Sequence, residues 1–391
     1  MATYEHGGIL FFVLRYFLNS SSVWAEINLG AIAHNVREIR RFIKPDVCLM
    51  AVVKSNAYGH GIIETAQCVL ANGAGALGVG RISEGICLRA SGIDVPILIF
   101  GFTPPQLVGK LLEYDLTQTV YSLETAREFS DAALASGGNV KIHLKIDTGM
   151  GRLGVMPDSI NECILIAQLP GLYMEGIYTH FATADSKNRS YANKQFNIFK
   201  ELLDKLHKKG LHVPLRHAAN SAATINMPEA HFDMVRCGIL LYGLYPSADI
   251  KKDAVCVRPA MALKSRIIHL KKVPSGARIS YGAFYETKKP AIIATVSAGY
   301  GDGVNRLLSS SGSMLVRGRR VRITGRICMD MTMLDVGQLD VSRGDEVVIF
   351  GNQGDEFLGA DEIAAAVNTI GYEILTSIPS NLHRVYRFHD N

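Results

Sequence analysis

The seven cysteines of this 391-residue chain (Cys48, Cys68, Cys87, Cys163, Cys237, Cys256 and Cys328) are odd in number and form no CxxC or CxxH pair. That pattern offers neither a disulfide framework nor a zinc site, and it fits a reducing cytoplasm. There is no long basic block: 41 basic and 36 acidic residues are interspersed, leaving a net charge of +5. A nucleic-acid backbone would find nothing continuous to follow, so nucleic acid is not an expected partner. No apolar run is long enough to span a bilayer; the stretch from Gly8 to Leu18 is short and broken by Arg15. Ser20 to Ser22 could serve a signal-peptide cleavage site, but MATYEHGG lacks the positive leader segment. Residues 1–22 are therefore read as an N-terminal extension of unknown role, and the expected setting is the cytoplasm without membrane attachment. With 48% hydrophobic and 20% charged residues, the composition is that of a soluble globular protein.

What the chain does have is a regular alternation. Eight short apolar or β-branched runs recur after Trp24: CLMAVV (48–53), ALGVG (76–80), PILIF (96–100), LTQTV (116–120), VKIHLKI (140–146), MEGIYT (174–179), VPLRHA (213–218) and FDMVRCGI (232–239). Amphipathic helices lie between them. In ANKQFNIFKELLDKLHKKG, Phe196, Phe199, Leu202, Leu203 and Leu206 recur at helical spacing, Lys208 and Lys209 complement the C-terminal dipole, and Gly210 supplies the stop. Strands alternating with helices predict parallel βαβ units, and eight of them predict an α/β fold, a (β/α)8 TIM-type barrel over residues 23–256. An open doubly wound sheet is the alternative, weakened because no GxGxxG follows the first run. From about Arg258 the helical period gives way to SRIIHLKKV, RISYGAFYE, AIIATVSAGY, SMLVRGRRVRITGR and DEVVIFG, punctuated by PSG, GDG and SGS turns. This predicts a C-terminal all-β domain over 257–391, with a short helix at DEIAAAVN.

In such a barrel, functional groups gather at the C-terminal ends of the strands and in the loops that follow. Lys54 follows the first run; Arg152 lies in GMGRLG after the fifth; His180 ends the sixth; Asn220 and Ser221 follow the seventh; Arg236, Gly238 and Ile239 end the eighth. Singly, each reads as a surface or core-edge residue. Together their register brings five stretches to one mouth. Barrels often bind phosphate in the loops after strands seven and eight, which here offer the Ser221 hydroxyl and the N–H groups of Gly238 and Ile239. A phosphorylated ligand beside a strand-end lysine is the arrangement of a pyridoxal phosphate Schiff base. The plainer alternative leaves Lys54 as a solvated strand end.

Ten segments in order, WAEINLGAI, AVVKSNAYGHG, KIDTGMGRLG, GIYTHFATAD, HAANSAAT, MVRCGILLYGLYPS, ISYGAFYET, GYGDGVNR, GRICMDM and NTIGYEILTSIPSNLHRVY, carry a resemblance to the bacterial alanine racemases, fold type III pyridoxal phosphate enzymes. It covers about Val23 to the C-terminus. The resemblance implies pyridoxal 5'-phosphate as cofactor, no metal, alanine as the small-molecule substrate, and D-alanine supply for peptidoglycan. It also implies a head-to-tail homodimer in which each site borrows residues from the partner's β-domain. Lys54 would carry the cofactor and act as one of two catalytic bases, and Tyr281, in ISYGAFYE, would be the opposing base from the other subunit. Arg236 would bind the pyridine nitrogen. Tyr58 and Tyr372, with Ser221, Gly238 and Ile239, would bind the phosphate, and His180 and Asn220 would complete the cofactor site. Arg152 and Met329 would bind substrate, Tyr300 would line the access channel, and Cys328, Asp330 and Lys145 would support the site. Lys145 lies where some members carry a carbamylated lysine.

Racemisation requires removing the α-proton from one face and delivering it to the other, so two groups on opposite sides are needed. Lysine and tyrosine ordinarily titrate near 10 and need neighbours that lower them. For Tyr281 the resemblance implies help from His180, backed by Arg236. The segments depart from the common family text at Gly301 (GYGDG for GYADG), Met331 (MDM for MDQ) and Gly371 (NTIGYE for NTINYE). None of these replaces a catalytic residue, and the first two bear on substrate width. A non-catalytic pyridoxal phosphate-binding homeostasis protein would lack the β-domain and facing tyrosine, and a fold type III decarboxylase resembles these segments less well. A serine or broad-spectrum racemase would share all the machinery.

Overall fold

The computed structural model describes residues 22–388. The extension read over residues 1–22, with its Gly8–Leu18 stretch, lies outside the described residues apart from Ser22. The chain forms two compact units, one spanning Leu29–Pro259 and the other combining the strand that ends at Asn28 with the chain from Ala260 onward.

That first strand, β1 (Val23–Asn28), marks a difference from the sequence-based boundaries of 23–256 and 257–391. It pairs antiparallel with a strand of the second unit (Ile27↔Met261) and parallel with the final strand (Glu26↔Val385). Trp24, Ala25 and Ile27 are buried there. Six residues of apolar pattern identify a strand but not a partner more than two hundred residues away, which is why the sequence assigned β1 to the barrel.

The first unit is a closed barrel of β2 (Cys48–Val52), β3 (Ala76–Val79), β4 (Ile97–Ile99), β5 (Thr117–Val120), β6 (Val140–Lys145), β7 (Leu172–Tyr178), β8 (Leu215–His217) and β9 (Met234–Cys237). Each strand pairs in parallel with the next, and β9 closes on β2 through Met50↔Arg236. The eight predicted runs are these eight strands. Strands covered on both faces read as near-continuous apolar text, and every residue of ALGV in β3 is buried. Inside, Met50, Ala76, Leu98 and Met234 pack together with Cys48, Phe100 and Leu215 against them. Gly78 is needed here because a Cβ would fall 2.5 Å from the Phe100 ring. The strands β5 to β9 instead contribute buried polar groups: Thr117, Thr119, His143, Lys145, His217 and Arg236. One segment of the interior is thus apolar packing and another is a hydrogen-bonded network.

The helix predicted from residue 192 spans Ser190–Lys208. Phe199, Leu202 and Leu206 are buried, Phe196 and Leu203 are half-buried, and Gly210 takes φ +86° just beyond the end. Among the described residues no helix is long and apolar enough to cross a membrane.

The second unit is mostly β, built on β10 (Met261–Val273), β11 (Arg278–Ile279), β12 (Tyr285–Glu286), β13 (Ala291–Val296), β14 (Ser313–Val316), β15 (Arg319–Arg322), β16 (Thr332–Asp335), β17 (Glu346–Gln353), β18 (Glu356–Leu358) and β19 (Arg384–Arg387). Its main sheet runs β15-β14-β17-β10-β1-β19, with β13 on β10 and β16, and β18 on β17. The short hairpin β11–β12 stands apart, with Tyr281 in its turn. The DEIAAAVN segment forms the helix Ala360–Ala366, and Tyr372 lies in the helix Gly371–Thr376.

Candidate active site

Lys54 stands two residues beyond the end of β2, and the chain then does something rare. Ser55, Asn56, Ala57 and Tyr58 all take left-handed helical angles, with φ of 55°, 54°, 53° and 51°. L-residues disfavour this conformation by roughly 1–2 kcal/mol each. The turn is held by Ala57 N–H donating to Val53 O (2.8 Å), Gly59 N–H to Ser55 O (3.0 Å), and Gly61 N–H to Asn56 O (3.0 Å). Asn56 Oδ1 accepts from Ile62 N–H (2.9 Å), and Glu84 Oε1 accepts from Ser55 N–H (2.6 Å). The other Glu84 oxygen accepts from Gly80 and Arg81 N–H, so one carboxylate ties the turn to the end of β3. The result is a half-buried lysine fixed at the mouth of the barrel. Burial pushes its amine pKa down, the positive charge of Arg152 pushes the same way, and Glu84 opposes both.

Arg236, 4% exposed, is the hub of the polar half of the barrel. Its NH1 donates to His217 Nδ1 (2.9 Å), and its NH2 group donates to Thr179 O (2.9 Å), Ala218 O (3.0 Å) and His180 Nδ1 (3.2 Å). Burial lowers the guanidinium to about 10, which still leaves it charged at neutral pH. A guanidinium has only donors, so His180 Nδ1 is an acceptor and the neutral ring carries its proton on Nε2. Burial, then the charges of Arg236, Lys145, Arg152 and Lys54, hold His180 well below the usual histidine range. Lys145, 5% exposed, donates to Ile146 O (2.9 Å) and sits 5.4 Å from the Tyr178 ring centroid. Burial and Arg236 bring its amine down to about 7.

Beside these groups is a polar cradle. Ser221 Oγ accepts from Gly238 N–H (3.0 Å), and a Cβ on Gly238 would lie 2.6 Å from the Tyr58 hydroxyl, so only glycine admits that phenol against the backbone. Tyr58 is buried and stacks on Tyr242 (4.8 Å), while the Asn220 side chain caps the turn at Ser221 by accepting from Ala223 N–H (2.9 Å). Burial raises the Tyr58 phenol to about 12, keeping it a donor. Two hydroxyls with the Gly238 and Ile239 backbone suit a phosphate, so the residues present fit a phosphorylated cofactor. Arg152 is exposed in the loop after β6, whose turn Asp147 organises by accepting from Gly149, Met150 and Gly151 N–H. The barrel thus brings together Lys54, Tyr58, Lys145, Arg152, His180, Asn220, Ser221, Arg236, Gly238 and Ile239 at the C-terminal ends of its strands.

The second unit gathers the others by itself. Ser280, at φ 67°, turns the chain and donates from Oγ to Arg326 O (2.5 Å), next to Cys328 Sγ (3.8 Å). Tyr300 N–H donates to Cys328 O (3.0 Å) and Gly301 N–H to Met329 O (2.9 Å), joining the Tyr281, Tyr300 and Cys328–Asp330 segments into one loop cluster. A Cβ at Gly301 would lie 3.2 Å from Met329 O, so glycine relieves a tight contact there. Tyr281 is 70% exposed, and Phe284, Met329, Met331 and Tyr300 are also exposed. Tyr372 is half-buried in its helix.

Sequence reasoning missed Glu84, Tyr178, His143, His217 and Glu175. The signal was present in VKIHLKI, where His143 and Lys145 alternate on one face of a strand; period-two polar residues in a barrel strand point inward. Glu84 left no comparable signal, because its role depends on a turn geometry that composition does not reveal.

Family models described as the alanine racemase N-terminal domain and the alanine racemase C-terminal domain match residues 27–246 and 260–386. An alanine racemase of Desulfosudis oleivorans is 53% identical over 380 residues, covering 94% of this chain and 97% of its own. The solved alanine racemase of Clostridium difficile 630 superposes with TM-score 0.90 at 41% identity, covering 95% of this chain and 97% of its own. That of Bacillus anthracis, solved with bound L-Ala-P, gives TM-score 0.90 at 39% identity over 95% of this chain and 96% of its own.

Proposed function

This chain belongs to the alanine racemase family, isomerases that interconvert L- and D-alanine, and from that premise we propose how its residues divide the work. Lys54 would hold pyridoxal phosphate in the resting enzyme, and the cofactor, once the substrate amine had replaced the Lys54 nitrogen and freed it to act as a base, would supply the electron sink that makes the α-proton removable. Tyr58, Ser221, Gly238, Ile239 and Tyr372 would hold its phosphate, Arg236 its ring nitrogen, and His180 and Asn220 the surrounding frame. Arg152 and Met329 bind and orient alanine, the arginine taking the carboxylate. Lys54 exchanges the α-proton on one face. Tyr281 of a second copy exchanges it on the other, with the His180 Nε2–H available to stabilise a phenolate. Tyr300, Cys328 and Asp330 shape access from that second copy. The exposed apolar group of Tyr281, Phe284, Met329 and Met331 supports a homodimer, since a patch of this kind calls for cover. The setting is the cytoplasm, and the product serves peptidoglycan synthesis.

Because Arg236 donates only, it keeps the ring nitrogen unprotonated and limits side reactions. An Arg236→Glu variant is expected to raise transamination relative to racemisation; an unchanged ratio refutes that role. The observation that carries the whole reading is the convergence of Lys54, Arg236 and the Tyr58–Ser221–Gly238 cradle at one end of one barrel. Purified protein with pyridoxal phosphate should convert L-alanine to D-alanine, followed by chiral chromatography with L-serine run alongside, since an extra hydroxyl is poorly excluded by pocket size. Absence of D-alanine while cofactor is bound would overturn the reading.

A further inference from the structure

The hydrogen bonds of Arg236 run to two carbonyls and two imidazoles, none of them a charged acceptor, yet one of them leads to a carboxylate. His217 Nδ1 accepts from the guanidinium, so its proton sits on Nε2, which lies 2.8 Å from His143 Nδ1. His143 Nδ1 must then accept, placing its own proton on Nε2, 3.3 Å from Glu175 Oε2. The same oxygen accepts from the Thr117 hydroxyl (3.0 Å). Since arginine cannot accept, the direction of every link is fixed, and both rings are neutral Nε2–H tautomers. The chain runs from Arg236 near the barrel mouth toward the N-terminal end of β5, where Lys141 pairs with Asp115 (2.7 Å) and faces Glu175.

The relay is built rather than incidental. His217 is fully buried, with its ring stacked on Tyr178 at 4.7 Å and 5°, and edge-on to His143 at 5.0 Å. The β6–β7 register slips between Ile142 and His143, and opposite the imidazole stands Gly176, where a Cβ would lie 2.7 Å from His143 Cε1. Burial, the largest influence on each ring, disfavours the charged form of both.

We propose that Glu175 is a positioning residue for the racemisation, acting on Arg236 through His143 and His217 from the far end of the barrel. The inference rests on the reading of Arg236 as the residue that holds the cofactor ring. Aligned donors polarise one another, so the carboxylate offsets part of the guanidinium charge without standing in the pocket. A carboxylate in direct contact would compete with the cofactor for the arginine's donors; one placed two imidazoles away does not.

Two measurements test this. In cofactor-free protein, 15N NMR should find His143 and His217 as neutral Nε2–H tautomers between about pH 6 and 8. A charged ring or an Nδ1–H tautomer at either position overturns the relay, whatever the enzyme does with alanine. In the holoenzyme, Glu175→Gln keeps an acceptor and removes the charge. It should shift the cofactor absorption band, raise the transamination-to-racemisation ratio and lower kcat about three- to ten-fold with KM unchanged. Thr117→Val keeps the charge but removes one donor to Glu175, which strengthens the carboxylate as an acceptor, and should move the His143 nitrogen signals by a smaller amount in the sense opposite to Glu175→Gln. Loss of thermal stability alone, with band, ratio and nitrogen signals as in wild type, refutes the proposal. Failure of wild type to form D-alanine would instead refute the functional reading and leave the NMR result standing.

Discussion

Replacing Ser55 with glycine should stabilise this protein, the opposite of what glycine does in an ordinary helix. Ser55 holds φ 55° and ψ 51° in the left-handed turn behind Lys54, at a cost of roughly 1–2 kcal/mol that glycine does not incur. Glycine returns about 0.5–1 kcal/mol of that gain through the greater entropy it loses on folding. The net is a gain of about 0.5–1 kcal/mol, or a rise of about 1–3 °C in the transition of the barrel unit. The backbone N–H that donates to Glu84 is retained, so no hydrogen bond is lost. The control is Ala132→Gly in the right-handed helix Leu123–Ala135, where about 1 kcal/mol should be lost. Scanning calorimetry on cofactor-free protein compares the two directly. The gain should come with lower activity, because the strained turn is what fixes Lys54. If Ser55→Gly destabilises as much as Ala132→Gly, the turn is not strained and the account of how Lys54 is held fails.

Other outcomes follow from the same geometry. The Lys145 amine titrates near 7 in the folded chain against an ordinary 10.5, so between those values the unfolded chain binds a proton that the folded chain has released. Stability of cofactor-free protein should therefore rise with pH across that window, and Lys145→Met should flatten the rise in urea titrations. An amine about half neutral near pH 7 offers the form that takes up carbon dioxide, which 13C NMR under labelled carbon dioxide would detect as a carbamate signal lost in Lys145→Met. Gly176→Ala would drive a methyl into the His143 ring and should cost about 1–3 kcal/mol of stability by denaturant unfolding, with the cofactor band displaced. Mixing inactive Lys54→Ala and Tyr281→Phe subunits should restore about a quarter of wild-type activity after subunit exchange, because half the dimers then carry one intact site of two. No recovery despite demonstrated exchange would place Tyr281 in the site of its own chain.

The barrel was legible because strands covered on both faces announce themselves as short apolar runs, and because strand ends mark the mouth. Lys54, His180, Ser221 and Arg236 could be placed by register alone. The role of Tyr281 came from resemblance, since a tyrosine in a hairpin turn has no local signature of catalysis. What stayed hidden is what depends on pairing at a distance or on rare backbone angles. The strand Val23–Asn28 reads locally as a strand but joins partners beyond residue 260. Nothing in KSNAY announces four left-handed residues, and Glu84 and Glu175 gain their meaning only from the atoms they meet.

The most direct test of the two-base account follows exchange of the α-proton in heavy water, with each alanine enantiomer supplied separately to the Tyr281→Phe holoenzyme. Lys54 alone should still exchange the α-proton of one enantiomer, while exchange from the other falls by about 100-fold or more. Equal loss, or equal retention, for both enantiomers would contradict the assignment of Lys54 and Tyr281 to opposite faces.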